Sequence, residues 1–291
     1  MNDVWSKFVQ GTNTLYYSRK LRFDDRFASG YKAAYALDDE RRLKILEIGC
    51  GPGALSAALK RWYPNAEICG MDRDSEFIKF ASENIEGVRF LEGDIINLPF
   101  DDEIFDAVIS NTVSEHVAPD DFYKEQMRVL KKGGKCIVMS SRRGYNYSCE
   151  CVKKNDFENA FWEKASKFDD SMEKYAVGKY AVSEREMALQ MEKYGFINVN
   201  TAFQTVNLAP DLNAYSEDFA KEIINANRYN DIDALKSVQD TMPGVFTEDE
   251  LREMGERIKY KYDQRIQKYL AGDKQWDMNV SVIMIVTGEK K

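Results

Sequence analysis

The amino-acid sequence predicts an α/β fold: a mostly parallel seven-stranded sheet with helices on both faces, an N-terminal helical cap and a helical insert before the last strand. Three observations carry this. Short apolar runs alternate with helix-forming stretches through residues 43–140. The first run ends in a glycine-rich loop that opens a helix. The last run, 279–287 (NVSVIMIVT), is apolar enough to be central, yet about 70 residues of helical periodicity precede it.

Each element has its own signal. Residues 43–48 (LKILEI) read as a buried strand, and 54–62 (ALSAALKRW) as a helix that Pro64 keeps from continuing. A second strand, 66–71 (AEICGM), leads to a helix at 75–84. Strands follow at 87–91 and 105–109. Residues 120–132 form an amphipathic helix with Phe122, Val129 and Leu130 at helical spacing, closed by Lys131, Lys132 and Gly133–Gly134. A fifth strand spans 135–140. Ser183 and Glu186 make a capping box for a helix that Gly195 ends, and a strand covers 196–204. A short helix is expected at 217–228. Thr247 and Glu250 cap a long helix striped by Leu251, Met254, Ile258, Tyr262, Ile266 and Leu270. The resulting organisation is a cap (1–42), a core (43–206 with 277–291) and an insert (207–276) read as a lid or dimer face.

The formal net charge of -8 argues against a dedicated nucleic-acid binder, which needs clustered Lys and Arg. No apolar run approaches the ~20 residues of a membrane span, and the polar N-terminus does not resemble a signal peptide. A cytoplasmic location is expected. The five cysteines are read as free thiols, and a single histidine leaves Cys149 and Cys151 short of a zinc ligand set.

The most informative segment is Glu47-Ile48-Gly49-Cys50-Gly51-Pro52-Gly53, between a strand and a helix. A dinucleotide fingerprint would space its glycines G-x-G-x-x-G and set a pyrophosphate on the helix N-terminus. Here the spacing is G-x-G-x-G, and Glu47 stands two residues ahead of the first glycine. That carboxylate suits a ligand with an ammonium group better than one with a phosphate. Asp72, at the second strand end, can accept from ribose hydroxyls. Asp94, past the third strand, can accept from an exocyclic amine. Three acidic groups at adjacent strand ends suit a cationic, phosphate-free nucleoside, which describes S-adenosylmethionine. Each residue also has a structural reading: the glycines as turns, the aspartates as helix caps.

The runs ILEIGCGPG, GMDRD, EGDIINLPFDDEIFDAVISNTVSEHV and RVLKKGGKCIV, in that order, resemble the class I methyltransferases, a Rossmann-like family. They look closest to the small-molecule branch that includes quinone-biosynthesis enzymes. The resemblance covers residues 43–140 and implies S-adenosylmethionine as cofactor, with S-adenosylhomocysteine as product. It implies that Gly49, Gly51 and Gly53 shape the loop around the methionine part and that Glu47 binds its amino group. Asp72 would hold the ribose, with Arg73 flanking the adenine. Asp94 and the Ile95 backbone would read the adenine edge, and Asn111 would lie near the methyl group.

Methyl transfer from a sulfonium is an in-line displacement, so the protein mainly positions the nucleophile. His116 and Glu115, beyond the fourth strand, are the catalytic candidates. His116 can serve as a base or as a packing residue, and Glu115 can bind a cation or stay solvated. Tyr16, Tyr17 and Arg22 of the N-terminal segment are candidates for a lid over a small-molecule substrate, with packing against the sheet as the alternative. Two other classes compete: a nucleotide-dependent oxidoreductase, and a protein that binds S-adenosylmethionine without transferring its methyl group. Residues 141–182 and the insert are expected to select the acceptor.

Overall fold

The computed structural model describes residues 4–141, 143–149, 151–169 and 174–291. The helices are α1 (Val4–Phe8), α2 (Thr12–Arg22), α3 (Ala28–Tyr35), α4 (Ala54–Trp62), α5 (Ser75–Asn84), α6 (Pro119–Val129), α7 (Asp156–Ser166), α8 (Glu184–Lys193), α9 (Glu217–Thr241) and α10 (Glu248–Leu270). The strands are β1 (Lys44–Ile48), β2 (Glu67–Asp72), β3 (Val88–Glu92), β4 (Phe105–Asn111), β5 (Leu130–Ser141), β6 (Tyr147–Cys149), β7 (Ile197–Leu208) and β8 (Met278–Glu289).

The sheet has eight strands rather than the seven expected. The added member is β6, three residues that pair with the start of β8. Strands β3-β2-β1-β4-β5 run parallel, in that spatial order. β8 joins antiparallel beside β5, and β7 pairs antiparallel with β8. The sheet order reverses at β1, so the crevice outside the ends of β1 and β4 is the place where such sheets bind ligands.

Burial follows this architecture. β1 reads Lys-Ile-Leu-Glu-Ile, and all but its first residue are buried, because helices cover both faces. One face packs Ile45, Ile68 and Ile109 against α3 and α4 through Tyr31, Tyr35 and Leu59. The other packs Leu46, Met71 and Val108 against Phe122 of α6 and Met191 of α8. A third apolar cluster lies outside the sheet, where α7, α9 and α10 meet through Phe161, Leu235 and Ile258.

Two elements differ from their sequence expectation. The predicted short helix at 217–228 is α9, which continues to Thr241. No Gly or Pro interrupts it, and Leu235 and Val238 bury their side chains against α10, so tertiary packing extends the helix. The helix predicted over 120–132 stops at Val129. Leu130 turns extended and pairs with Phe105, burying its side chain at the foot of β4.

The insert carries a specific job in the fold. Asp233 of α9 accepts from Thr14 N and Thr14 Oγ1 at 2.8 and 2.7 Å. That places a carboxylate at the N-terminus of α2, where the helix dipole favours it. Tyr17 stacks on Tyr229 with ring centroids 4.4 Å apart. The insert therefore grips α2. Among the described residues no helix is long and apolar enough to cross a membrane.

Candidate active site

A cavity of about 880 Å³ opens outside the C-terminal ends of β1, β2, β3 and β4. The loop after β1 makes its floor. Gly49 and Gly51 sit at φ 63° and 53°, a conformation other residues adopt only with strain. A Cβ on Gly49 would stand 2.5 Å from Val113, so the loop lies flush against the loop after β4. Gly53 also has positive φ, but it faces away from the cavity. A Cβ there would meet Ile85 at 2.6 Å and Phe90 at 2.9 Å, so this glycine serves the packing of α4 onto its neighbours.

The acidic residues of the strand ends do converge here. Glu47, Asp72 and Asp94 all line the cavity, as do Arg73, Ile95, Asn111, Glu115 and His116. Glu47 is buried and accepts a short hydrogen bond from Ser56 Oγ. Burial pushes its carboxyl up to about 8, against the pull of that hydrogen bond. Asp72 is held by both oxygens: Oδ2 accepts from Gly51 N at 2.8 Å and Oδ1 from Asp74 N at 2.9 Å. Burial makes its carboxyl a weaker acid than a free aspartate, against the pull of those two hydrogen bonds. Asp94 is exposed and accepts from Ile96 N at 3.2 Å, so it caps its own turn while facing the cavity.

Asn111 closes β4, and its buried Oδ1 has no hydrogen-bond partner. An orphaned buried acceptor on a cavity wall calls for a donor from a ligand. The next residue, Thr112, adopts φ 56°, a strained setting for a β-branched residue. Its Oγ1 donates to Asn111 O at 2.7 Å and accepts from Arg19 Nη2 at 2.9 Å.

His116 ends a short turn of 3₁₀ helix after β4. Its Nδ1 accepts from Gly178 N at 2.9 Å. An imidazole that accepts at Nδ1 carries its proton on Nε2. Nε2 is then a donor, and this ring is not set up as a general base. Burial also lowers its basicity, with Glu115 opposing and Arg73 reinforcing the shift. Glu115 accepts weakly from Ser114 Oγ and Ser140 Oγ, and its backbone oxygen accepts from Tyr180 N at 2.9 Å.

The roof comes from two segments. Trp5 of α1 meets the His116 ring edge-on at 4.7 Å, and Phe8 stacks on Tyr175 at 5.4 Å. Ser6 fastens α1 to the rim through its N–H and hydroxyl on Asp74, at 2.8 and 3.0 Å. Of the segment 141–182 expected to select the acceptor, residues 142, 150 and 170–173 lie outside the described residues. The stretch around Val177, Gly178 and Tyr180 does line the cavity.

The lid expectation needs correction. Tyr16 and Tyr17 do not reach the cavity. Tyr16 packs edge-on against Phe80 of α5, and Tyr17 against Tyr229, so both rings hold α2 in place. Arg22 does line the cavity, and so does Arg19, which sequence reasoning passed over. The available signal was a pair of arginines three apart on α2, a spacing that puts both on one helix face. No residue of the insert lines the cavity; it supports the wall from behind, chiefly through α2. Among the described residues no cluster of three or more His, Cys, Asp or Glu could hold a metal.

A family described as "Methyltransferase domain" matches residues 46–138, the span that holds the glycine loop and the ends of β1 to β4. Residues 46–138, about a third of the chain, thus carry a domain similar to the class I methyltransferases. Its methyltransferase domain is 38% identical over 120 residues to a fatty-acid O-methyltransferase of Mycolicibacterium smegmatis, a match covering 40% of this chain and 43% of that one. It is 28% identical over 186 residues to a demethylmenaquinone methyltransferase of Chlorobaculum tepidum, covering 64% of this chain and 75% of that one. The match thus spans less than half the length of the first relative and three quarters of the second. A solved Haemonchus contortus phosphoethanolamine N-methyltransferase 2 covers all of this chain and 60% of its own, at a TM-score of 0.53 and 15% identity. That likeness shows the shared methyltransferase fold.

Proposed function

We propose that the chain transfers a methyl group from S-adenosylmethionine to a small-molecule acceptor by in-line displacement. The observation that carries this reading is the convergence of Glu47, Asp72, Asp94 and the unpartnered Asn111 Oδ1 on one cavity at four adjacent strand ends. This set is rich in acceptors and suits a nucleoside that brings an ammonium, ribose hydroxyls and an exocyclic amine. The bound donor supplies an electrophilic methyl group on a sulfonium. Glu47 and Asn111 meet its ammonium end, Asp72 its ribose, and Asp94 with the Ile95 N–H its base. Arg73, exposed at the rim, stacks on the ring.

The protein's part is placement and exclusion of water. α1 and the 174–182 stretch cover the cavity, and the Nε2–H of His116 offers a hydrogen bond to an acceptor oxygen. A nucleophile that is already anionic needs no base, which agrees with the tautomer of His116. Free thiols at all five cysteines support a cytoplasmic setting.

Calorimetry with S-adenosylmethionine, S-adenosylhomocysteine and NAD tests the donor. Binding of NAD alone would overturn the reading. A labelled-methyl screen over small acids, quinols and amines then tests turnover. Donor binding with no acceptor methylated in any class would favour a binding protein.

A further inference from the structure

The cavity does not end at its polar floor. One of its walls is the end of β5, where Ser140 lines it. Ser140 stands directly opposite Met284 on β8, and Met284 stands opposite Phe203 on β7. Directly opposed residues of antiparallel strands share a face, so Ser140, Met284 and Phe203 form one row across one side of the sheet. Val280, four residues before Met284 and so on the same face, stands opposite Tyr147 of β6. This side of the sheet therefore runs from the cavity wall out to two aromatic rings.

A third ring joins them. Tyr145 lies between Gly144 and Asn146, which both line the cavity, and it meets Phe203 edge-on at 6.4 Å. Asn146 Oδ1 accepts from Val282 N at 3.0 Å, which fastens this loop to β8. All three rings are open to solvent: Tyr145 is 59%, Tyr147 57% and Phe203 54% exposed. Apolar side chains scattered singly on a surface need no explanation, but a group of three beside a cavity marks a binding face. β6, β7 and β8 carry no charged residue before Glu289. An apolar ligand laid here displaces water without stripping an ion. These strands also offer no Lys or Arg to hold anionic lipid headgroups.

Resting on the methyl-transfer reading, we propose that Tyr145, Tyr147 and Phe203 form a shelf for the apolar body of the acceptor, whose polar reacting end enters the cavity past Ser140. The acceptor is then an amphiphile with a chain or ring system that extends beyond the cavity. The shelf residues touch neither the donor nor the reacting atoms, and they select the acceptor by its length. A methylene laid on the rings leaves water on one side only, so its gain is smaller than for full burial.

The test is calorimetric titration of n-alkanols, from butanol to decanol, into the protein saturated with S-adenosylhomocysteine. In the wild type, affinity should rise by about twofold or more with each added methylene, through to the longest chain. In the double variant Tyr145→Ser, Phe203→Ser it should stop rising once the chain leaves the cavity. Decanol should then bind about tenfold or more weakly than to the wild type, with butanol within about twofold. Both substitutions are at exposed positions, so S-adenosylhomocysteine affinity and melting temperature should be unchanged, which separates the shelf from a folding defect.

The same length dependence in both proteins would overturn the proposal, as would a wild type that binds no alkanol. It also falls if the wild type and not the variant co-sediments with phosphatidylcholine vesicles, which would give the patch to a lipid surface. A wild-type dimer in sedimentation velocity that the variant loses would give it to a second copy of the chain. Failure of the wild type to bind S-adenosylhomocysteine would sink the methyl-transfer reading instead. Binding of S-adenosylhomocysteine without the length effect sinks only the shelf.

Discussion

Asp72 Oδ2 accepts the Gly51 N–H at 2.8 Å, which fastens the glycine loop of β1 to the end of β2. The other oxygen holds the turn into α5 through Asp74 N. One carboxylate thus sets the shape of the cavity floor while facing the ligand space. Asp72→Ala removes both contacts and leaves two backbone donors to find water. The expected cost is about 2 kcal/mol or more in stability, read by denaturant unfolding. Donor affinity should fall by about tenfold or more, read by calorimetry. Unchanged affinity would remove Asp72 from the ribose role.

Glu47 gives a pH signature. Its carboxyl titrates near 8 in the folded chain, because burial disfavours the charge, against 4.5 for a free carboxyl. Between these values the unfolded chain has lost the proton and the folded chain keeps it. The contribution of Glu47 is therefore fully present below about 4.5 and is lost as pH rises through about 8. Glu47→Gln should raise the melting temperature relative to wild type at pH 8.5, and the gain should vanish near pH 4.5. A gain that is constant across this range would contradict the assignment.

His116 predicts the opposite limb. Its basicity is lowered by burial, so acidification charges the unfolded chain first and stability is lost as pH falls below about 6.5. Protonation also puts a hydrogen on Nδ1, facing the Gly178 N–H. Turnover should decline on the same acid limb. His116→Phe keeps the ring against Trp5, loses the acceptor, and should abolish that limb at a stability cost of about 1–2 kcal/mol. An unaltered acid limb in this variant would show that another group titrates.

The three glycines of the loop separate by function. Gly53→Ala forces a Cβ toward Ile85 and Phe90 at φ 85°. A stability loss of about 2–4 kcal/mol is expected, with donor affinity little changed in the fraction that folds. At Gly51 the added Cβ meets only Leu15, at 3.1 Å on the cavity side. Gly51→Ala should therefore cost donor affinity in addition to backbone strain. The ratio of the two effects in the two variants checks the division.

Much of this was legible in the chain itself. Apolar runs that alternate with helix formers specify β1 to β5, and the capping boxes at Ser183 and Thr247 sit where α8 and α10 begin. These are local signals, because period, caps and glycine chemistry act within a few residues. The acidic residues at strand ends were legible for the same reason: in a parallel sheet every strand C-terminus points to one edge.

What only the tertiary structure decided depends on contacts between distant segments. The insert could not be read as the clamp on α2, because Asp233 and Thr14 are 219 residues apart in sequence. Tyr16 and Tyr17 read as lid residues until α5 and α9 claimed their faces. Arg19 could be placed on the cavity wall only once folding set α2 beside Thr112, 93 residues later in the chain. Asp72 shows the division most clearly. Sequence put a carboxylate at the end of β2, and folding bound it to Gly51, 21 residues earlier in the chain. Hydrogen bonds across that distance follow from how the sheet is assembled, which no local pattern encodes.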